Sequence, residues 1–302
     1  MTAGRLNHLS PAAARLGQAL ARPKPLAVIC VIALAALGWL YLGLLTAGMS
    51  GETRGLGPGM VWLDWLPRAV DALCRPTFGV AHFGMPAAAW SVTDFILVAL
   101  MWCAMVLAMM LPSAGAMILA YAEIADTAAR KGERVISPFI LTAGYAAVWL
   151  GFALLAAAAQ AVMARAALLD AAMLSVNTLF SGAIFLAAGL YQFTALKHAC
   201  LSKCQRPFPF FFVHWSTTAA GVFRLGLSQG LYCLGCCWAM MLVMFAVGVM
   251  NVAWMAALGA VMTIEKLTTT ARFAHVVGVS LIGLGAGLVA ASLWTHWPAA
   301  SL

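Results

Sequence analysis

Residues 26–47 form a run of 22 residues without a single charge. A helix rises about 1.5 Å per residue, so such a run crosses the roughly 30 Å hydrocarbon layer of a bilayer. Six further apolar stretches follow, at residues 94–121, 138–164, 176–197, 225–248, 250–266 and 274–294. The fifth and sixth are one continuous apolar run, split where Gly248 and Asn251 favour a break. The chain therefore reads as an all-α, polytopic transmembrane helical bundle of about seven spans, or six with one of that pair re-entrant. Hydrophobic residues make up 64% of it and charged residues 9%, against roughly 45–50% and 25% in soluble domains. That balance excludes an ordinary soluble enzyme, a disordered chain and a secreted disulfide scaffold.

The net charge is +8, from 17 basic and 9 acidic residues. These charges sit in short segments between apolar runs, which is the pattern of membrane topology and not of nucleic-acid binding. With seven spans, thirteen basic residues fall on one side, in the N-terminal tail and around residues 130–134, 197–224 and 266–272. Only Arg54, Arg68, Arg75 and Arg165 fall on the other. The expected topology is thus a cytoplasmic tail at residues 1–25, followed by one transmembrane domain at 26–302 in a bacterial inner membrane. The tail is no cleaved signal, because the run after it exceeds the roughly 7–15 residues of a signal core. The longest loop, 48–91, lies outside, and Trp62, Trp65, Arg68 and Asp71 suit a short helix on the membrane surface. Trp39, Tyr121, Trp294 and other aromatic residues near span ends suit interfacial anchors.

Five of the eight cysteines fall within 38 positions. Cys200 and Cys204 are four apart and share a face if the helix continues; Pro207 and Pro209 then end it. Cys233, Cys236 and Cys237 stand at i, i+3 and i+4, so three thiols share one helical face. In a reducing cytoplasm a structural disulfide is disfavoured, and metal or redox chemistry gains weight. Thiolates select Cu(I), Zn(II) and iron–sulfur clusters. Cysteine is also a small buried hydrophobe, which is the plain reading for the isolated Cys30 and Cys103. Met240, Met241 and Met244 follow the triad by one turn, and thioether beside thiolate favours Cu(I), with zinc and iron as alternatives. The stripe Met101, Met105 and Met109 is read more simply as core filling. The candidate ligands are Cys233, Cys236, Cys237, Cys200 and Cys204, with His198, Met240 and Met244 secondary. His198 faces away from Cys200 unless the helix frays there.

Pro112 is expected to break the second span, with Ser113 or a neighbour satisfying the freed carbonyl. Gln192, Gln229 and Asn251 are expected to bond across helices. Glu265 and Lys266 read as interfacial residues closing the sixth span. No nucleophile elbow, phosphate loop, dinucleotide fingerprint or His-Glu-x-x-His motif is present.

The chain resembles a family of bacterial proteins described as predicted metal-binding integral membrane proteins of unknown function. The resemblance rests on residues 108–113 (AMMLPS), 189–192 (GLYQ), 197–201 (KHACL) with Cys204, 230–238 (GLYCLGCCW), and 249–251 (VMN) through Glu265 and Lys266. It spans about residues 95 to 270. Two departures stand out: Gln229 occupies a position where the family commonly has histidine, and Ala116 one where it has a second proline. The resemblance implies metal binding and supplies no reaction. Three readings follow from the sequence. The leading one is a soft-metal protein, copper foremost, acting in metal transport or delivery with a donor or acceptor protein. The others are a membrane redox enzyme cycling Cys233 and Cys236, and a non-catalytic subunit of a larger membrane complex.

Overall fold

The computed structural model describes residues 23–48, 91–166, 168–169, 177–268 and 270–295. The tail before residue 23 and nearly all of the 48–91 loop, where a surface helix is expected, lie outside the described residues. Ten helices are described: α1 Pro23–Gly48, α2 Val92–Arg130, α3 Pro138–Arg165, α4 Thr178–Tyr191, α5 Ala195–Gln205, α6 Pro207–Val213, α7 Ala219–Leu242, α8 Met244–Val247, α9 Val252–Leu267 and α10 Ala271–Thr295. Each of the seven apolar stretches of the sequence is mostly helical over its described residues, the fourth as two helices.

Among the described residues four helices are long and apolar enough to cross a membrane: α2, α3, the continuous α7–α8 stretch and α10. The bent pair α4–α5 makes a fifth if it counts as one span. The remaining two expected spans are α1, with 26 residues, and α9, with 16.

α2 is the spine of the bundle. Its start is fixed by a capping box in which Ser91 Oγ accepts from Asp94 N and the Asp94 carboxylate accepts from Ser91 N at 2.8 Å. Met101, Met105 and Met109 are all at most 1% exposed and fill the core around it. Pro112 does not break the helix, which runs unbroken through it. The carbonyl that loses its partner there is that of Ala108, and Trp39 Nε1 from α1 donates to it at 3.0 Å. Trp39 thus serves the helix interior and not an interface. Tyr121 is likewise fully buried, its hydroxyl donating to the Ile136 carbonyl at 3.0 Å.

Two helix breaks shape the site. The fourth apolar stretch bends by 64° between α4 and α5. Thr194 caps the new helix, its side chain accepting from Lys197 N. Gly248 turns the chain with φ +103°, and Asn251 caps α9 by accepting from Trp254 N at 3.1 Å. α5 ends before Pro207 as expected, with Arg206 in a non-helical conformation ahead of the proline, while Pro209 lies inside the next helix. α5 stops at Gln205, and Pro207 opens α6 from the first-turn position, where its missing N–H costs nothing. α3 and α7 cross at Gly144 and Gly226: a Cβ on Gly144 would lie 3.1 Å from the Gly226 Cα. This close crossing brings Tyr145 of α3 to the thiol face of α7.

Candidate metal centre

α7 carries the core of the site. Thr218 caps it by accepting from Gly221 N, and Cys233, Cys236 and Cys237 fall on its inward face. All three are buried, at 2–3% exposure. α5 packs across α7 and adds Cys204. Cys236 Sγ lies 3.3 Å from Cys237 Sγ and 4.0 Å from Cys204 Sγ, and Cys233 Sγ lies 4.0 Å from Cys237 Sγ. Metal–thiolate bonds of about 2.3 Å in a tetrahedral site put two sulfurs about 3.8 Å apart. The four sulfurs therefore have roughly the separations of co-ligands. Among the described residues, however, no group of three or more His, Cys, Asp or Glu side chains is arranged to hold a metal ion. The Cys236 thiol turns back to the Cys233 carbonyl at 3.1 Å. Closing the set around an ion means freeing that thiol.

Cys200, one turn before Cys204, is partly exposed. Its sulfur rests on the α7 backbone, where a Cβ added to Gly235 would stand 2.6 Å from it. The other candidate ligands are placed differently. Met240 is buried one turn beyond Cys236, and its Sδ accepts from Gln192 Nε2 at 3.0 Å. Met244 is fully buried in α8. The His198 ring packs edge-on against His275 at 5.5 Å, on α10, while Cys200 and Cys204 turn to α7.

Two polar groups that pattern reading missed, Lys266 and Tyr145, close on Cys233, and Ser113 supports them. Lys266 Nζ lies 3.0 Å from the Cys233 sulfur and donates to Ser113 Oγ at 2.7 Å. Tyr145 OH lies 3.0 Å from the same sulfur and donates to the Met110 carbonyl at 3.4 Å. The Ser113 hydroxyl donates to that carbonyl at 2.8 Å. Lys266 is 9% exposed and Glu265 3%, so both are interior residues and not the interfacial pair expected from their position at a helix end. An ammonium here offsets the net negative charge that an ion held by several thiolates carries.

A second buried layer locks α5 in place. Lys197 is fully buried and pairs with the Glu265 carboxylate at 2.8 and 3.0 Å. Its Nζ also donates to Gln192 Oε1, the residue whose amide nitrogen reaches Met240. Gln205 Nε2 donates to the Glu265 carbonyl at 2.8 Å. Counting Lys197 as a loop charge concealed this pair. The signal that could have found it is the rule that ionisable groups inside apolar helices are buried, paired and functional by default.

Comparison with known proteins is narrow. No curated protein and no solved structure matches the chain. One sequence family does match, over residues 99–288, a stretch that holds every sulfur and polar group just described. That match covers more than half of the sequence, and the chain belongs to the PpoB2 copper-chaperone family.

Proposed function

We propose that this chain carries copper as Cu(I) cargo, holding it on the thiols of Cys204, Cys233, Cys236 and Cys237 within a bacterial inner membrane before passing it to an acceptor protein. The observation that carries the reading is the linked set of four sulfurs from two helices, each within 4.0 Å of the next. Membership in a copper-chaperone family supports copper over the other soft metals. So does the Met240 thioether one turn away, because thiolate with thioether is a Cu(I) donor set. The buried Lys266 ammonium beside Cys233 suits an anionic copper–thiolate group. The thiols shed their protons as the ion binds. Copper then leaves by ligand exchange, sulfur for sulfur, without change of oxidation state.

The test is elemental analysis of the detergent-purified protein beside the variant Cys236→Ser/Cys237→Ser. The wild type is expected to retain copper in stoichiometric amount after dialysis, and the double variant to lose most of it. Equal copper in both, or none in either, overturns the assignment of the site.

A further inference from the structure

The four inner sulfurs are poorly placed to meet a carrier. Cys233, Cys236 and Cys237 are 2–3% exposed, and Cys204, although partly exposed, holds its sulfur 4.0 Å from that of Cys236. Copper passes between proteins when a new metal–sulfur bond forms before the old set is gone, which needs sulfur-to-metal approach to about 2.3 Å. No incoming thiolate reaches the buried triad at that distance with the helices closed. Cys200 is different. It shares the α5 face with Cys204 and is, like Cys204, partly exposed, but its sulfur packs on the α7 backbone and not on the Cys236 sulfur. Its sulfur lies against Gly235, the residue just before Cys236. Glycine at 235 is what permits this, because any side chain there would collide with the sulfur at 2.6 Å. The Tyr191 hydroxyl donates to the Gly235 carbonyl, and the Tyr191 ring packs edge-on against Trp238 at 5.1 Å. These contacts pin the α7 backbone on which Cys200 rests. One sulfur therefore stands at the edge of the protein, beside a chain of four that leads inward.

We propose that Cys200 is the exchange thiol of the site: it makes the first bond to Cu(I) arriving on a thiolate carrier and the last bond to Cu(I) leaving, while the four inner sulfurs retain the ion. The proposal rests on the copper-carrying reading above. In the inward step one carrier Cu–S bond breaks as the Cu–Cys200 bond forms. The proton from the Cys200 thiol passes to the departing carrier thiolate. Copper remains Cu(I), and no electron moves. Cys236 then replaces the next carrier ligand in the same way.

The experiment uses the full chain in detergent, loaded with Cu(I), with bathocuproine disulfonate as a water-soluble acceptor. Cys200→Ser is expected to hold as much copper per chain as the wild type and to release it at least about tenfold more slowly, the scale of losing one supporting contact at a metal site. Unchanged release with unchanged copper content overturns the proposal. Loss of copper content overturns it too, since Cys200 is then a retaining ligand. A second measurement needs no substitution. In the copper-loaded wild type a charged maleimide should label Cys200 while Cys204, Cys233, Cys236 and Cys237 stay protected; equal protection of all five contradicts the exchange role. A wild type that holds no copper removes the carrying reading itself, a result distinct from either of these.

Discussion

Pro112 has no N–H to offer the Ala108 carbonyl, and Trp39 supplies one from the neighbouring helix at 3.0 Å. Their meeting is close: a Cβ on Gly38 would stand 2.9 Å from the Ala108 backbone nitrogen. A buried carbonyl left without a donor costs about 1–3 kcal/mol. Trp39→Phe should therefore lower unfolding stability in detergent by about that amount. In a Pro112→Ala background the restored helical N–H takes the carbonyl, and the same substitution should cost much less. A double-mutant cycle on denaturation midpoints reads the difference, and additive effects would show that the indole bond does not compensate for the proline. At the site, Lys266→Met removes the positive charge 3.0 Å from Cys233 Sγ. It should weaken copper retention about 10–100-fold in chelator competition, as loss of a supporting group around a metal does. Stoichiometry at saturating copper should hold, and an unchanged affinity would show that the ammonium does not serve the ion. The cysteines were legible in the sequence because i, i+3 and i+4 is a local spacing that any helix turns into one face. Lys266 and Tyr145 were not, because they reach Cys233 across 33 and 88 residues, and no periodicity encodes such a meeting.

α5 is held by a buried ion pair and not by hydrophobic fit alone. Lys197 stands at its first turn, and Glu265 at the last turn of α9. Removing one partner of a buried pair strands the other charge, at a cost of about 3–5 kcal/mol, while replacing both with apolar residues is often neutral. Lys197→Met should therefore destabilise the protein strongly, and Lys197→Met/Glu265→Leu should recover most of the loss in thermal unfolding. If the double substitution is as damaging as the single one, the pair does more than neutralise charge. Because the pair anchors the helix that carries Cys204, the single variant should also loosen copper. The break before α5 was hard to foresee. It falls at Gln192-Phe193-Thr194, with no glycine or proline, and is made by a threonine cap and a buried lysine. The break after α8 was easier, since Gly248 and Asn251 announce a left-handed turn and a helix start.

At the scale of the whole molecule, the connections at one end of the bundle can be traced through their contacts. Lys131 and Glu133, between α2 and α3, line one crevice with Phe208, Phe212 and Trp215, which follow α5. The Tyr121 ring stacks on Trp215 at 5.5 Å and meets Phe211 edge-on. Gln205 Nε2 also donates to the Thr268 carbonyl, just past α9. The links at residues 131–137 and 206–218 and the end of α9 at Thr268 thus gather together, the arrangement that alternating passes of α3, the bent α4–α5 pair, α7–α8 and α9 would give. α9 is short for a pass, since 16 residues span about 24 Å against a hydrocarbon layer of about 30 Å. Its last turn packs on Lys197 of α5 and on Cys233 of α7, so Glu265 and Lys266 are buried although they end an apolar run. Composition made the helical bundle plain, but a charge at the end of a short helix looks interfacial until the depth of that end is known. The gathered links carry Lys131, Arg134 and Arg206, with Arg272 in the first turn of α10, and basic residues favour the cytoplasmic side. A reporter active only in the cytoplasm should accordingly give signal when inserted after Arg134 and equally after His214. Opposite signals at the two positions would mean that α4 and α5 dip into the membrane and return, and that the chain does not alternate through them.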